Sequence, residues 1–212
     1  MTALDHFDKA FAECPLIAIL RGLHPDEAVS IGEALVEAGI TILEVPLNSP
    51  EPFKSIARLS HALEGRAIVG AGTVYRRTEV DQVMDAGGTL IVSPNANPDV
   101  IAHAASEGLI SAPGVFTPTE AMSALDAGAH VLKLFPGELM SPQGVKALSA
   151  VLPKSTRMVL VGGVNETSFA SYASTPLKGY GLGSSLFSLG VDAVEIKNRA
   201  TRFLSAYRAS KS

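Results

Sequence analysis

Cysteine is almost absent from this chain of 212 residues, which holds only Cys14. One thiol cannot form an intrachain disulfide, and the chain reads as a protein of a reducing compartment, the cytoplasm. A basic excess is missing as well. Seventeen Lys and Arg stand against 21 Asp and Glu, a net charge of −4, so neither nucleic acid nor an anionic membrane surface is an expected partner. Apolar runs such as Leu16–Leu20 and Leu90–Val92 fall far short of the ~20 residues a bilayer requires. The first fifteen residues set Asp5, Asp8 and Glu13 against Lys9, which is not the cationic start of a secretory leader. His6, His24, His61, His103 and His130 show no metal-ligand spacing, and with one cysteine beside them no zinc site is expected. The G-x-S-x-G of a hydrolase elbow is absent, and so is a G-x-G-x-x-G followed by an acidic residue ~20 positions on. No metal and no cofactor are therefore expected.

What the chain does have is a repeat. Gly39, Gly65, Gly87, Gly108 and Gly128 recur at spacings of 26, 22, 21 and 20 residues. Four of them share a context: Glu-Ala-Gly-Ile (37–40), Asp-Ala-Gly-Gly (85–88), Ser-Glu-Gly-Leu (106–109) and Asp-Ala-Gly-Ala (126–129). Each ends an amphipathic stretch and precedes a short apolar run, as a left-handed glycine between a helix and a buried strand would. Strands are expected at Leu16–Leu20, Ile42–Leu47, Ala67–Gly70, Leu90–Val92, Leu109–Ser111, Val131–Leu134, Met158–Val161 and Gly179–Leu182. They are continuously apolar rather than alternating, which fits a parallel sheet covered on both faces. Helices are expected near 25–38, 51–63, 76–86, 98–107, 118–127, 141–152, 165–173 and 191–208, several opening on Pro or an acidic first turn. Eight strands alternating with eight helices predict a closed (β/α)8 barrel; a doubly wound open sheet is the competing α/β architecture. Residues 1–212 then form a single compact domain, with an N-terminal helix over 1–14 closing the barrel's bottom.

Barrel enzymes of this kind work at the C-terminal ends of their strands. The polar residues expected there are Arg21, Glu44, Asn48, Thr73, Asn95 and Lys133, followed by glycine clusters after the last two strands. Lys133 is the lone charge in Val131-Leu132-Lys133-Leu134-Phe135-Pro136. Burial lowers a lysine pKa, and a neutral amine is what imine formation with a ketone requires; a structural ion pair is the plain alternative. Glu44 is equally isolated in Ile42-Leu43-Glu44-Val45-Pro46-Leu47, as that lysine's partner or as a proton shuttle. Val161-Gly162-Gly163-Val164 and Gly181-Leu182-Gly183-Ser184-Ser185 let backbone N–H groups approach an anion, where such barrels commonly hold phosphate; tight turns are the alternative. Arg21 suits a carboxylate or phosphate clamp or a rim ion pair, and Thr73 suits a hydroxyl donor or a helix cap.

Taken in order, Leu16-Ile-Ala-Ile-Leu-Arg-Gly22, Glu44-Val-Pro-Leu-Asn-Ser49, Gly70-Ala-Gly-Thr73, Val92-Ser-Pro94, Pro113-Gly114, Leu132-Lys-Leu-Phe-Pro136, Gly162-Gly163 and Gly181-Leu-Gly-Ser184 resemble the 2-keto-3-deoxy-6-phosphogluconate/6-phosphogalactonate (KDPG/KDPGal) aldolase family over about residues 15–208. The resemblance implies a homotrimeric class I aldolase on a (β/α)8 barrel, independent of metal, cleaving a phosphorylated keto acid to pyruvate and glyceraldehyde 3-phosphate. It assigns Lys133 as the Schiff-base lysine and Glu44 as the proton-transferring carboxylate. Arg21 and Thr73 would contact the keto acid, and Gly163, Gly183 and Ser184 the phosphate. Gluconate-type members carry Arg where Asn48 stands and Thr where Val161 stands, whereas galactonate-type members match this chain at both positions. The two substrates differ in configuration at C4, and Val161 removes a hydroxyl donor that could hold one orientation. The resemblance thus implies the galactonate epimer as substrate. The gluconate epimer, another sugar-phosphate barrel enzyme and a non-catalytic binding barrel remain the alternatives.

Overall fold

The computed structural model describes residues 2–211. Helix α1 (Ala3–Glu13) leads into an alternating series. The strands are β1 (Leu16–Ile19), β2 (Ile42–Pro46), β3 (Ile68–Gly72), β4 (Leu90–Val92), β5 (Ile110–Ala112), β6 (Gly114–Val115), β7 (Leu132–Leu134), β8 (Met158–Val161) and β9 (Gly179–Leu182). Between and after them run α2 (Pro25–Ala38), α3 (Pro52–Ala62), α4 (Arg77–Asp85), α5 (Pro98–Ser106), α6 (Pro118–Asp126), α7 (Pro142–Ala150), α8 (Ser168–Tyr172) and α9 (Ala193–Ala209). Gly39, Gly65, Gly87, Gly108 and Gly128 all take positive φ, so the glycine repeat marks the helix ends as its spacing predicts.

The strands are parallel and run in the order β5-β4-β3-β2-β1-β9-β8-β7-β6. Only Pro113 separates β5 from β6. β5 pairs with β4 (Leu90 opposite Ile110) and β6 with β7 (Gly114 opposite Lys133). Lys133 N donates to Pro113 O at 2.9 Å and His130 N to Ser111 O at 2.9 Å, so both fragments face the same neighbour. They form one stave, and the barrel closes with eight. The expected fifth strand, Leu109–Ser111, thus extends to Val115. Proline lacks the N–H that would continue the ladder, so Pro113-Gly114 reads as a turn although the chain stays extended. Two further departures are local. Helix α8 is shorter than the expected 165–173, and a 3-10 turn over Gly137–Leu139 follows β7, where the sequence pattern gave no element.

Alternation along each strand sorts the core into two layers. Leu16, Ala18 and Leu20 join the outer layer beneath the helices, while Ile17 and Ile19 face the lumen. Ile42, Ile68, Leu90, Ile110, Val131, Val159 and Val161 fill that lumen from the other staves. Phe7 and Phe11 of α1, stacked at 5.4 Å, pack into it beside the first residues of several strands. Both layers are apolar, which is why the strands show no hydrophobic alternation in the sequence. The same parity carries function. Glu44 is two residues beyond Ile42 and Lys133 two beyond Val131, so both point into the lumen at the end away from α1.

Candidate active site

A cavity of about 440 Å³ opens at the C-terminal ends of the strands. Its walls bring together Arg21, Glu44, Asn48, Thr73 and Lys133 with Val161, Gly162, Gly163, Gly183 and Ser184. Every residue singled out from the sequence as a site residue therefore lines one space, except Asn95, which lies outside it. His24 precedes α2 as its N-cap residue, and the imidazole Nδ1 of His130 accepts from Ser111 N at 3.2 Å.

Lys133 and Glu44 lie on staves well separated around the barrel, and only 7% and 2% of each is exposed. Beneath them lie Ile17, Ile19, Val92, Ala112 and Val159, a low-dielectric floor. Burial pushes the Glu44 carboxyl up to about 7 against the opposing pull of Lys133 and Arg21. Burial likewise lowers the Lys133 pKa; Glu44 opposes that shift and Arg21 adds to it. The two form no direct ion pair, and Glu44 Oε2 has no hydrogen-bond partner among the described residues. A carboxyl that can hold a proton near neutrality and an amine that can lose one thus face a shared space. Lys133 Nζ also stands over the Phe135 ring, 4.6 Å from its centroid.

The backbone around the pair is built to admit these side chains. Glu44 lies opposite Gly70 in the β2–β3 register. A methyl carbon at Gly72 would overlap its carboxylate, with Cδ 2.5 Å away. Arg21 Nη1 donates to Asn48 Oδ1 at 2.6 Å, and Gly22 N donates to Ser49 Oγ at 3.0 Å. These two bonds tie the loop after β1 to the loop after β2. Thr73 adopts φ +64°, a left-handed conformation that a β-branched residue rarely takes, and it does so at the cavity wall. It does not cap α4, whose N-cap is Arg76.

The opposite wall is made of backbone. The N–H groups of Gly163, Gly183, Ser184 and Ser185 donate to no acceptor among the described residues. Backbone donors free of protein acceptors on two glycine turns that line one cavity suit a nest for an anion. Val161 lines the same cavity, its Cγ2 2.8 Å from where a Cβ on Gly181 would sit. The sequence reading missed Glu138 and Tyr75 as lining residues. Glu138 had a legible signal, since it follows Lys133 by five residues in a Pro-Gly turn. Tyr75 had none, because its approach depends on the path of a loop.

Comparison with known proteins agrees with this geometry. The profile of the KDPG and KHG aldolase family matches residues 7–203. The chain belongs to the KDPG and KHG aldolase family. A Rhizobium meliloti protein named "Probable 2-dehydro-3-deoxy-6-phosphogalactonate aldolase" is 48% identical over 206 residues, 97% of each chain. A solved structure described as native KDPGal superimposes with a TM-score of 0.91 at 42% identity, covering 93% of this chain and 96% of its own. A KDPG aldolase of Legionella pneumophila, solved with pyruvate captured as a covalent carbinolamine, is 27% identical with a TM-score of 0.79, covering 96% and 97%. The eight-stave barrel of this aldolase is thus the family's fold, and its buried lysine and carboxyl occupy the strand ends where barrel enzymes work.

Proposed function

We propose that this chain is a class I aldolase that cleaves 2-dehydro-3-deoxy-6-phospho-D-galactonate to pyruvate and D-glyceraldehyde 3-phosphate. One observation carries the reading. A buried amine with a lowered pKa and a carboxyl raised to about 7 share a cavity whose far wall is a nest of unpaired N–H donors. The first pair suits imine chemistry at a ketone, and the nest suits the phosphate at the other end of the same molecule.

The neutral Lys133 amine attacks the C2 carbonyl to form a carbinolamine. Glu44, protonated at this stage, gives its proton to the departing hydroxyl, so water leaves and an iminium forms. Glu44, now ionised, accepts the proton of the C4 hydroxyl. The C3–C4 bond breaks, its electrons pass toward the iminium nitrogen, and glyceraldehyde 3-phosphate leaves. The resulting enamine is protonated at C3, and water hydrolyses the pyruvate imine to free Lys133. In this reading Arg21, held by Asn48, takes the substrate carboxylate together with Thr73, and Gly162, Gly163, Gly183 and Ser184 take the phosphate; all of them line the one cavity. The phosphate lies away from the bond that breaks, so its binding energy serves alignment.

Val161 and Asn48 support the galactonate epimer over the gluconate one, because neither the hydroxyl nor the arginine of the gluconate pattern is present. Assembly as a homotrimer belongs to the same proposal. Its support is an apolar groove beside the site where Phe116, Leu139 and Val151 are exposed. Among the described residues no helix is long and apolar enough to cross a membrane, and the single thiol is buried, which suits a cytoplasmic enzyme. The test is a coupled pyruvate-release assay with both C4 epimers, followed by borohydride trapping with pyruvate. Faster release from the galactonate epimer and a reduced pyruvyl adduct on Lys133 are expected. An adduct on another residue, or none, would refute the mechanism.

A further inference from the structure

Near the two glycine turns the cavity is lined by the polar side chains of Glu138, Ser184 and Ser185. Ser185 Oγ is committed to Val164 O at 2.7 Å, and Ser184 belongs to the nest itself. Glu138 lies over the Gly162-Gly163 turn. Its Oε2 fills the space a Cβ on Gly162 would need, and its Cγ is 2.5 Å from where a Cβ on Gly163 would sit. The turn that carries it is seated equally closely. A Cβ on Gly137 would come within 2.8 Å of Val161 O and 2.7 Å of Gly162 O. Two glycines thus make room for the Glu138 side chain and a third seats the turn that carries it; the carboxylate is open to solvent and makes no hydrogen bond or ion pair among the described residues.

An unpaired acceptor beside a set of unpaired donors has a chemical meaning. A carboxylate only accepts, so the ligand group that faces it must be a donor, and a phosphate is repelled there. Given the aldolase reading above, on which this inference rests, C2 is fixed at Lys133 and the C6 phosphate at the nest. The C4 hydroxyl has to reach Glu44. The remaining donor on that stretch of the substrate is the C5 hydroxyl. We propose that Glu138 is a specificity-determining residue that accepts a hydrogen bond from the C5 hydroxyl, so that the enzyme recognises a hydroxylated tail as well as its phosphate.

The synthetic direction isolates that one hydroxyl. Pyruvate is condensed with D-glyceraldehyde 3-phosphate and, separately, with 3-oxopropyl phosphate, which has the same length but lacks the hydroxyl that becomes the one at C5. The readout is the ratio of kcat/KM for the two aldehydes. In E138A this ratio should fall on the order of ten- to a hundred-fold, the range of a hydrogen bond to a charged acceptor. E138Q, whose amide oxygen still accepts, should lie between E138A and the parent. A ratio unchanged in E138A overturns the assignment. That holds whether both rates fall together because the glycine turn is disturbed, or rise together because the phosphate is no longer repelled. Failure of the unmodified enzyme to condense pyruvate with either aldehyde would overturn the aldolase reading and this assignment with it, a result distinct from an unchanged ratio.

Discussion

Arg21 Nη1 donates to Asn48 Oδ1 at 2.6 Å, joining two loops that follow adjacent strands. The bond itself neutralises none of the guanidinium charge, because its acceptor is neutral. Arg21 therefore keeps its attraction for an anionic substrate group while losing rotational freedom.

Asn48→Ala should free Arg21 and raise the KM for pyruvate in the synthetic direction about tenfold, with a smaller effect on kcat. Steady-state kinetics separate the two parameters. A KM that does not move would remove Asn48 from the binding of the keto acid.

Glu44 makes stability depend on pH with a definite sign. Below about pH 4.5 the carboxyl is protonated in folded and unfolded chains alike. Between there and about pH 7 the unfolded chain ionises while the folded one holds its proton, so stability falls as pH rises. The full loss is about 3 kcal/mol, from 1.36 kcal/mol per unit of pKa difference. Glu44→Gln should abolish that dependence, gaining most at pH 8 and little at pH 4.5, while turnover drops by ~100-fold or more. Denaturant unfolding at the two pH values checks the first part; equal gains at both would show that Glu44 is not the titrating group.

Gly72→Ala places a methyl carbon on the Glu44 carboxylate. The carboxylate has to swing away or the strand has to shift, a strain of roughly 1–3 kcal/mol. Activity should fall by more than tenfold, since a proton shuttle tolerates little displacement. Gly65→Ala offers the contrast. Nothing lies within 4 Å of a Cβ there, so its strain is confined to the positive φ and activity should survive. Comparable rates for the two variants would show that the close approach at Gly72 has no catalytic consequence.

Val161→Thr changes a methyl to a hydroxyl at nearly constant volume beside Gly181, so the fold should hold. The added donor would sit on the wall of the cavity that Lys133 and the glycine turns share. Preference between the C4 epimers should shift toward the gluconate form by roughly tenfold, read as a ratio of kcat/KM values. An unchanged ratio would assign C4 selection to another residue.

The elements that were legible in the sequence were those with a strong local cause. The five glycines fixed where helices stop, because only glycine takes that turn cheaply, and the apolar runs that follow fixed where strands begin. Lys133 and Glu44 were conspicuous for a similar reason, since a charge alone in an apolar strand is costly and invites a chemical explanation. The fifth stave was misjudged because Pro113-Gly114 has the composition of a turn. Its neighbours' hydrogen bonds keep it extended nonetheless, and those bonds are absent from local sequence.

Local sequence determined the alternation of helices and strands, the parity that turns Glu44 and Lys133 inward, and the presence of glycine turns after the last two strands. Closure of the barrel decided the rest. It brought staves remote in sequence around one cavity, raised the Glu44 pKa by enclosing it, and set two separate glycine turns along the same cavity wall. It also laid Glu138 across Gly162 and Gly163. Periodicity follows from neighbours along the chain, whereas desolvation and convergence depend on which segments pack together in space.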